Sequence, residues 1–141
     1  MLNPAREPNA ELLRLLKAFR SDPPLVVQLY QELFFARLWV LAEGATDVSQ
    51  MAFLTYPTPD GIRELPIFTA PDRPTLTRLA AESGAASVQV DGISLWSRLL
   101  EIVKTGETEA AVDAGESYAI RVNLQMILTM VRVHGDNVQL P

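Results

Sequence analysis

The sequence predicts a single layered α/β domain of the mixed, α+β kind, with helices packed on a mixed sheet of about five to six strands. Three observations predict it. The chain has 141 residues, the length of one domain. Hydrophobic residues make up 48% of it, which is enough to build a packed core. Short apolar runs typical of strands alternate with amphipathic segments typical of helices.

Two helices are predicted at the start of the chain. The first begins after Asn9, which we expect to cap it, and ends near Arg20 with its leucines on one side of the helix. The second follows Asp22, also expected to be a cap, with Pro23 in the first turn, where a missing N–H is harmless. Its apolar arc is wider, so we expect this helix to be covered on more than one side.

The next segments are predicted to be strands. Residues 37–41 are a short apolar run suited to a buried strand. The runs over 51–56 and 62–68 flank a proline-containing loop with Asp60-Gly61, which indicates a hairpin with a long loop.

The second half of the chain alternates strands and helices. Its predicted elements are, in order, a helix over 73–82, a strand over 87–91, a helix over 93–104, strands over 109–113 and 117–122, and a helix over 123–131. Gly84 is expected to be the left-handed cap of the first of these helices. The strand–helix–strand succession calls for right-handed crossovers and partly parallel strands.

The chain has one predicted domain with short ends. We assign residues 1–8 to an N-terminal extension, 9–131 to the domain and 132–141 to a polar C-terminal tail. No repeat or low-complexity tract divides the domain.

Composition restricts the compartment and the partners. The charge-free stretch 122–131 is too short for a membrane helix, which needs roughly 20 apolar residues. The chain has no cysteine and no recognisable signal peptide, so we expect a cytoplasmic protein without disulfides. Seventeen acidic and twelve basic residues are spread evenly, which argues against a nucleic-acid partner.

The sequence contains no recognisable catalytic constellation. His134 is the only imidazole and lies in the predicted tail, away from other candidate ligands or nucleophiles. No glycine-rich phosphate loop or nucleophile elbow is present. We therefore predict a protein that is not an enzyme, with no cofactor and no metal.

Two groups of residues are candidate contact sites. The acids cluster locally in one segment, where they form a candidate acidic patch or oxygen-only cation site without a calcium-loop pattern. These acids are Glu107, Glu109, Asp113 and Glu116. In the last predicted helix, Met126 and Met130 lie one turn apart beside Arg132, which suggests a partner interface, whereas burial of the helix in the core is the structural alternative.

The order of the elements and a few short motifs carry a family resemblance. The segment 66–70 reads Pro-Ile-Phe-Thr-Ala and leads into a helix, and Val88-Gln89-Val90-Asp91-Gly92 leads into an amphipathic helix. This succession resembles the SseB N-terminal-domain family, the enhanced serine sensitivity protein B type, in which a strand ending in Pro-x-Phe-Thr-Ser leads into a helix. The segment Asp113-Ala114-Gly115 stands where the family has Asn-Pro-Gly and keeps only the glycine. The resemblance covers about Asn9 to Val131 and implies a bacterial α/β protein without a settled reaction. Physically, we expect the Thr69 hydroxyl to cap the turn that follows it, with Asp72 three residues on.

Three functional hypotheses remain open. The first is a cytosolic interaction module that binds a protein partner or a second copy of itself. The second is a secretion-chaperone-like or effector-associated protein. The third is a small-ligand-binding or hydrolytic protein that uses dispersed carboxylates such as Glu109 and Asp113.

Overall fold

A computed structural model describes residues 8–44 and 48–135. In these ranges the chain forms five α-helices and one mixed sheet of seven strands, which confirms the mixed α+β fold. The helices are α1 (Ala10–Ala18), α2 (Val26–Phe35), α3 (Pro74–Ser83), α4 (Gly92–Val103) and α5 (Leu124–Gly135), with 3-10 turns at Pro23–Leu25 and Val48–Gln50. The strands are β1 (Arg37–Gly44), β2 (Met51–Phe53), β3 (Tyr56–Pro57), β4 (Arg63–Phe68), β5 (Ala86–Asp91), β6 (Thr108–Val112) and β7 (Ile120–Val122).

The sheet has one more strand than expected because one predicted strand is divided. The run over 51–56 first pairs with β1 as β2 and then, as β3, pairs with the beginning of β4. The β3–β4 pair is the antiparallel hairpin that Asp60-Gly61 predicted.

The strand order places β4 and β6 side by side at the centre of the sheet. Strand β1 pairs with β4 and with β5 through the same residues, Trp39 and Val40, so it lies between them and the order is β5-β1-β4-β6-β7, with β2 paired to the end of β1. Among the described strands only β4 and β6 pair in parallel. Strand β5 points in the same direction as β4, but β1 lies between them and is antiparallel to both. The prediction of partly parallel strands is therefore confirmed.

Four helices cover one face of the sheet and enclose the main core. Helices α1, α2, α4 and α5 pack there on the inward side chains of β1, β4, β6 and β7. The indole Nε1 of buried Trp96 donates a hydrogen bond of 2.8 Å to the carbonyl of Leu33, which joins α4 to α2. Helix α2 contacts α1, α4 and α5, as its wide apolar arc predicted.

The opposite face carries α3 and a smaller apolar cluster. Leu76 of α3 is buried there with Leu41, Phe68 and Ala85. Pro74 lies in the first turn of α3, and Gly84 ends the helix in the left-handed conformation, as predicted.

Two predicted helix caps do not form as side-chain hydrogen bonds. Asn9 holds the N-cap position of α1, but its amide Nδ2 donates 2.8 Å hydrogen bonds to the carbonyls of Arg37 and Thr69 instead. The Asp22 side chain makes no capping hydrogen bond either. Asp91, the last residue of the strand predicted over 87–91, caps α4 by accepting from the Ser94 N–H at 2.9 Å.

Helix α5 extends beyond the boundary we placed at residue 131. It continues to Gly135, and the His134 ring packs 6.0 Å from Phe34 and 6.1 Å from Phe35. His134 is only 7% exposed, so placing it in a polar tail was wrong. Its position one helical turn after Met130 puts it on the buried side of α5. Residues 136–141 and most of the expected N-terminal extension lie outside the described residues.

Candidate functional site

The two motif segments meet where β4 and β6 end. Because these strands are parallel, their carboxyl ends lie side by side at one edge of the sheet. Thr69 follows β4, Asp113 follows β6, and both side chains are fully buried. With Arg73 and Tyr118 they form a cluster that we name the strand-end junction.

Hydrogen bonds surround the Asp113 carboxylate in this junction. Thr69 donates to it twice, from its N–H to Oδ1 at 2.8 Å and from its hydroxyl to Oδ2 at 2.7 Å. The Tyr118 hydroxyl donates to Oδ2 at 2.9 Å, and the Arg73 Nε lies 3.4 Å from the same oxygen. Arg73 Nη2 also donates to the Thr69 hydroxyl at 2.7 Å. Hydrogen bonds to an ionised acceptor are strong, so the junction connects two strand ends firmly.

The Thr69 hydroxyl therefore does not have the role that we predicted. It donates to Asp113 rather than capping the turn towards Asp72. A capping hydroxyl accepts from a backbone N–H, and here the Thr69 oxygen accepts from Arg73 Nη2 instead, while its hydrogen is donated to the buried carboxylate.

The turn after β6 has an unusual backbone. Asp113 has φ +53°, the only positive φ at a non-glycine residue in the described ranges, and aspartate is among the side chains that tolerate this region best. Gly115 has φ +92°, and a Cβ added there would overlap the Thr75 Oγ1. The turn therefore needs glycine at its third position, which is the residue shared with the Asn-Pro-Gly motif.

The junction also fixes the protonation state of Tyr118. Burial first, then the hydrogen bond to Asp113 and its negative charge, raise the pKa of Tyr118 well above the usual value for a tyrosine. The hydroxyl thus stays a hydrogen-bond donor at physiological pH. Since both carboxylate oxygens already accept hydrogen bonds, this geometry favours a structural role for Asp113 over proton transfer.

The predicted acidic patch does not come together. Asp113 is buried in the junction, whereas Glu107 is exposed at the start of β6. The Glu109 carboxylate lies 3.5 Å from the Arg121 guanidinium, at the other end of the strand from Asp113. In residues 8–44 and 48–135, no three acidic or histidine side chains are grouped closely enough to hold a metal ion.

Arg121 instead links the scattered surface acids. Its guanidinium lies 2.8 Å from Asp60 and 3.6 Å from Glu64, in addition to Glu109. Hydrogen bonds from the Thr58 hydroxyl, the Ile62 N–H and Arg121 lower the pKa of Asp60 to about 2. This exposed network is a solvated charge cluster.

A cavity of about 240 Å³ lies beside the junction. It is bounded by β3, β4, α3 and the turn after β6, and its polar lining includes Glu64, Thr75 and Arg78. The Arg78 Nη1 also lies 3.4 Å from a Glu82 carboxylate oxygen, so the Arg78 charge is partly compensated by an ion pair. Sequence reasoning did not predict this cavity, because its lining comes from four separate segments.

The residues predicted for a partner interface have different surroundings. Met130 is fully buried in the core of this chain. Met126 is half-buried and Arg132 is exposed. Of the three, only Met126 and Arg132 retain surface that a partner could touch, and their role in an interface stays a prediction.

The β5 strand has an open side that the sequence did not reveal. The Gly92 N–H donates to the Ala36 carbonyl at 2.7 Å, in register with the β1–β5 ladder. In an antiparallel ladder, hydrogen-bonded and non-hydrogen-bonded residue pairs alternate. Since Gly92 is bonded to β1, the backbone groups of Val90 and Val88 are bonded to it as well. Those of Ser87, Gln89 and Asp91 point away from β1. Among the described strands β5 pairs only with β1. We name these outward-pointing groups the β5 edge.

A groove of about 290 Å³ lies next to one end of the β5 edge. Arg37, Trp39 and Gln89 contribute to its lining from the sheet, and Glu32 and Phe35 from α2. Phe35 is 44% exposed, so part of its ring is open to solvent beside the groove. The groove could accept a side chain from a strand bound at the β5 edge.

No helix in the described part of the chain is both long and apolar enough to cross a membrane. Comparisons with curated proteins and with solved structures gave no match. A family model described as the SseB protein N-terminal domain matches residues 12–128, which include both motif segments of the junction and nearly all of the fold. The chain therefore belongs to the SseB N-terminal-domain family.

Proposed function

We propose that the protein is a non-catalytic interaction module that binds a protein partner at the β5 edge. One observation carries this proposal: the β5 edge offers a row of backbone donors and acceptors without a partner strand among the described residues. Extended segments recognise such an edge by adding a strand, with main-chain hydrogen bonds giving affinity and side-chain pockets giving specificity.

The surroundings of the β5 edge support binding of an extended segment. Gln89 belongs both to the edge and to the groove, so a bound strand would run past a ready side-chain pocket. Trp39 and the exposed Phe35 give that pocket aromatic surface, which is enriched at interfaces. By contrast, Asp113 is the buried acid that would suit catalysis, but both of its carboxylate oxygens already accept hydrogen bonds from Thr69 and Tyr118.

Site-specific photo-crosslinking tests this proposal. A photoreactive amino acid replaces Gln89 in cells that produce the protein, and Glu107, exposed at the start of β6, serves as the matched control position. We expect a discrete adduct from position 89 and none from position 107. The captured protein, identified by mass spectrometry, should then bind the purified chain and lose binding to Gln89→Pro. Equal labelling at both positions, or none at 89, would contradict the proposal.

A chaperone for a secreted effector is one class of partner-binding protein that fits this proposal. Such a chaperone holds an extended segment, which is the shape that the β5 edge would accept. Location of the gene beside a secretion cluster and recovery of an effector in the crosslink would favour it. Crosslinks only to non-secreted proteins would exclude it.

Ligand binding is the second candidate, and the cavity beside the junction favours it. The cavity combines a carboxylate, a guanidinium and a threonine hydroxyl with the motif turn. Amide chemical shifts of Thr75, Ala114 and Gly115, recorded by NMR with mixtures of phosphorylated and carboxylated metabolites, test this candidate. Localised shifts would support a ligand site, whereas unchanged spectra at millimolar metabolite would remove it.

A further inference from the structure

We propose that the β5 edge binds a second copy of this chain, with the two β5 strands antiparallel about a twofold axis at Gln89. This inference rests on the proposed function, since it names the partner of the same edge. The resulting sheet would continue from one copy into the other.

The backbone groups of the edge are self-complementary in this register. Gln89 faces Gln89 of the second copy, and Ser87 faces Asp91. These are the three residues whose N–H and C=O groups point away from β1. In a hydrogen-bonded antiparallel pair, two facing residues exchange both bonds, so the Gln89 groups of the two copies pair fully and each Asp91 N–H donates to a Ser87 carbonyl. The Asp91 carbonyl already accepts in the first turn of α4, where Asp91 is the N-cap, so it would accept from Ser87 as a second bond.

The side chains are also complementary across the axis. The Ser87 hydroxyl would lie opposite the Asp91 carboxylate, a donor opposite an acceptor, and the two Gln89 amides would lie side by side. On the other side of the strand, Val88 would face Val90 of the second copy and lose its remaining exposure. No like charges stand opposite each other, an arrangement that would destabilise a strand pair.

The β5 edge lacks the devices by which proteins keep strand edges unpaired. Such edges are usually short or carry charges and prolines. The opposite edge strand, β7, has three residues and includes Arg121, whereas β5 has six and no charge or proline before Asp91. A twofold pair is closed, so it covers both edges without inviting further copies.

Sedimentation equilibrium of the purified chain tests the inference with two substitutions at one position. Gln89→Pro removes the N–H at the centre of the proposed pair, but that N–H points away from β1, so the fold should remain. Gln89→Thr keeps the N–H and is the matched control. We expect the wild type and Gln89→Thr to dimerise and Gln89→Pro to dimerise at least about tenfold more weakly. Circular dichroism and thermal unfolding check that each variant is folded.

Cysteine crosslinking gives a second measurement that does not depend on the proline variant. The chain has no cysteine, so Gln89→Cys and Glu107→Cys each carry a single thiol. A bismaleimide with a short spacer should join two copies through position 89 and leave the position 107 variant unlinked.

The outcomes separate this inference from the proposed function. Covalent dimers specific to position 89, together with dimerisation lost in Gln89→Pro, would establish self-pairing. A monomer at high concentration whose position 89 captures a different protein in cells would overturn self-pairing and leave the proposed function intact. A monomer that captures nothing in cells would overturn both.

Discussion

The strand-end junction and the β5 edge are both rich in polar groups, but they differ in how those groups are bonded. At the junction, Thr69 after β4 and Tyr118 before β7 donate to the buried Asp113 carboxylate, and the Arg73 guanidinium just before α3 forms an ion pair with it. At the β5 edge, the backbone groups of alternate residues find no strand to bond with in the described part of the chain. Saturated polar groups hold a fold together, whereas open ones remain available to a partner.

The family motif and the proposed binding surface lie in different parts of the fold. The motif residues lie at the junction, where their chemistry accounts for strand pairing and turn geometry. The proposed binding surface lies on β5, away from the two motif segments that meet at the junction. Motif residues in this chain thus indicate the fold more directly than the function.

The largest effect is expected for Asp113→Ala. Removing the carboxylate leaves the Thr69 N–H and the Thr69 and Tyr118 hydroxyls without their shared acceptor, and it takes an ion pair from Arg73. We therefore expect a loss of about 3–5 kcal/mol in the free energy of unfolding. Urea unfolding followed by circular dichroism measures it. Glu107→Ala, at an exposed acid, should stay within about 0.5 kcal/mol. Equal losses in the two variants would contradict the structural role of the junction.

Leu99→Ala shows how much free energy of unfolding is lost at an ordinary core position, against which the loss in Asp113→Ala can be compared. Leu99 is fully buried on α4, and a leucine-to-alanine change there should cost about 2–5 kcal/mol. The same urea titration applies. A loss below about 0.5 kcal/mol would show that α4 does not face a packed core.

Gly115→Ala probes the turn that brings Asp113 into place. The positive φ alone should cost about 1–2 kcal/mol, and the new Cβ would also contact the Thr75 hydroxyl. The double variant with Thr75→Ala should recover part of the loss, because the closest clashing atom is removed. If the double variant is no better than the sum of the two single variants, the contact with α3 is not the cause.

Tyr118→Phe removes one donor from the junction. We expect a loss of about 0.5–1.5 kcal/mol near pH 8. The pKa of Tyr118 is higher in the folded chain than in the unfolded one, so its contribution is complete below the unfolded pKa and declines as the pH rises above it. The stability gap between the wild type and Tyr118→Phe should therefore narrow above about pH 10. Unfolding titrations at pH 8 and pH 11 measure it, and a constant gap would contradict the raised pKa.

The smallest effect is expected at the β5 edge itself. Ser87 is exposed, so Ser87→Ala should change the free energy of unfolding of the monomer by no more than about 0.5 kcal/mol. The measurement uses protein dilute enough to be monomeric. A loss as large as that of Tyr118→Phe would show that the Ser87 hydroxyl is bonded within the monomer and is not open to a partner, which would weaken the contrast with the junction.

Local pattern predicted the elements well and their caps poorly. The turn at Gly84, the amphipathic faces of the helices and the hairpin around Asp60-Gly61 depend on neighbours in the sequence, and the structure confirms them. Asn9 and Thr69 instead bond to residues 28 to 60 positions away, so their side chains could not be assigned from local spacing.

The sequence by itself determined the mixed α+β fold and the family, because apolar periodicity and short motifs are local properties of the chain. Only the tertiary structure decided that Asp113 is buried against Thr69, that His134 belongs to the core and that β5 lies at an edge. The physical reason is that burial and strand order arise from contacts between distant segments. Which polar groups are satisfied, and which remain for a partner, follows from those contacts.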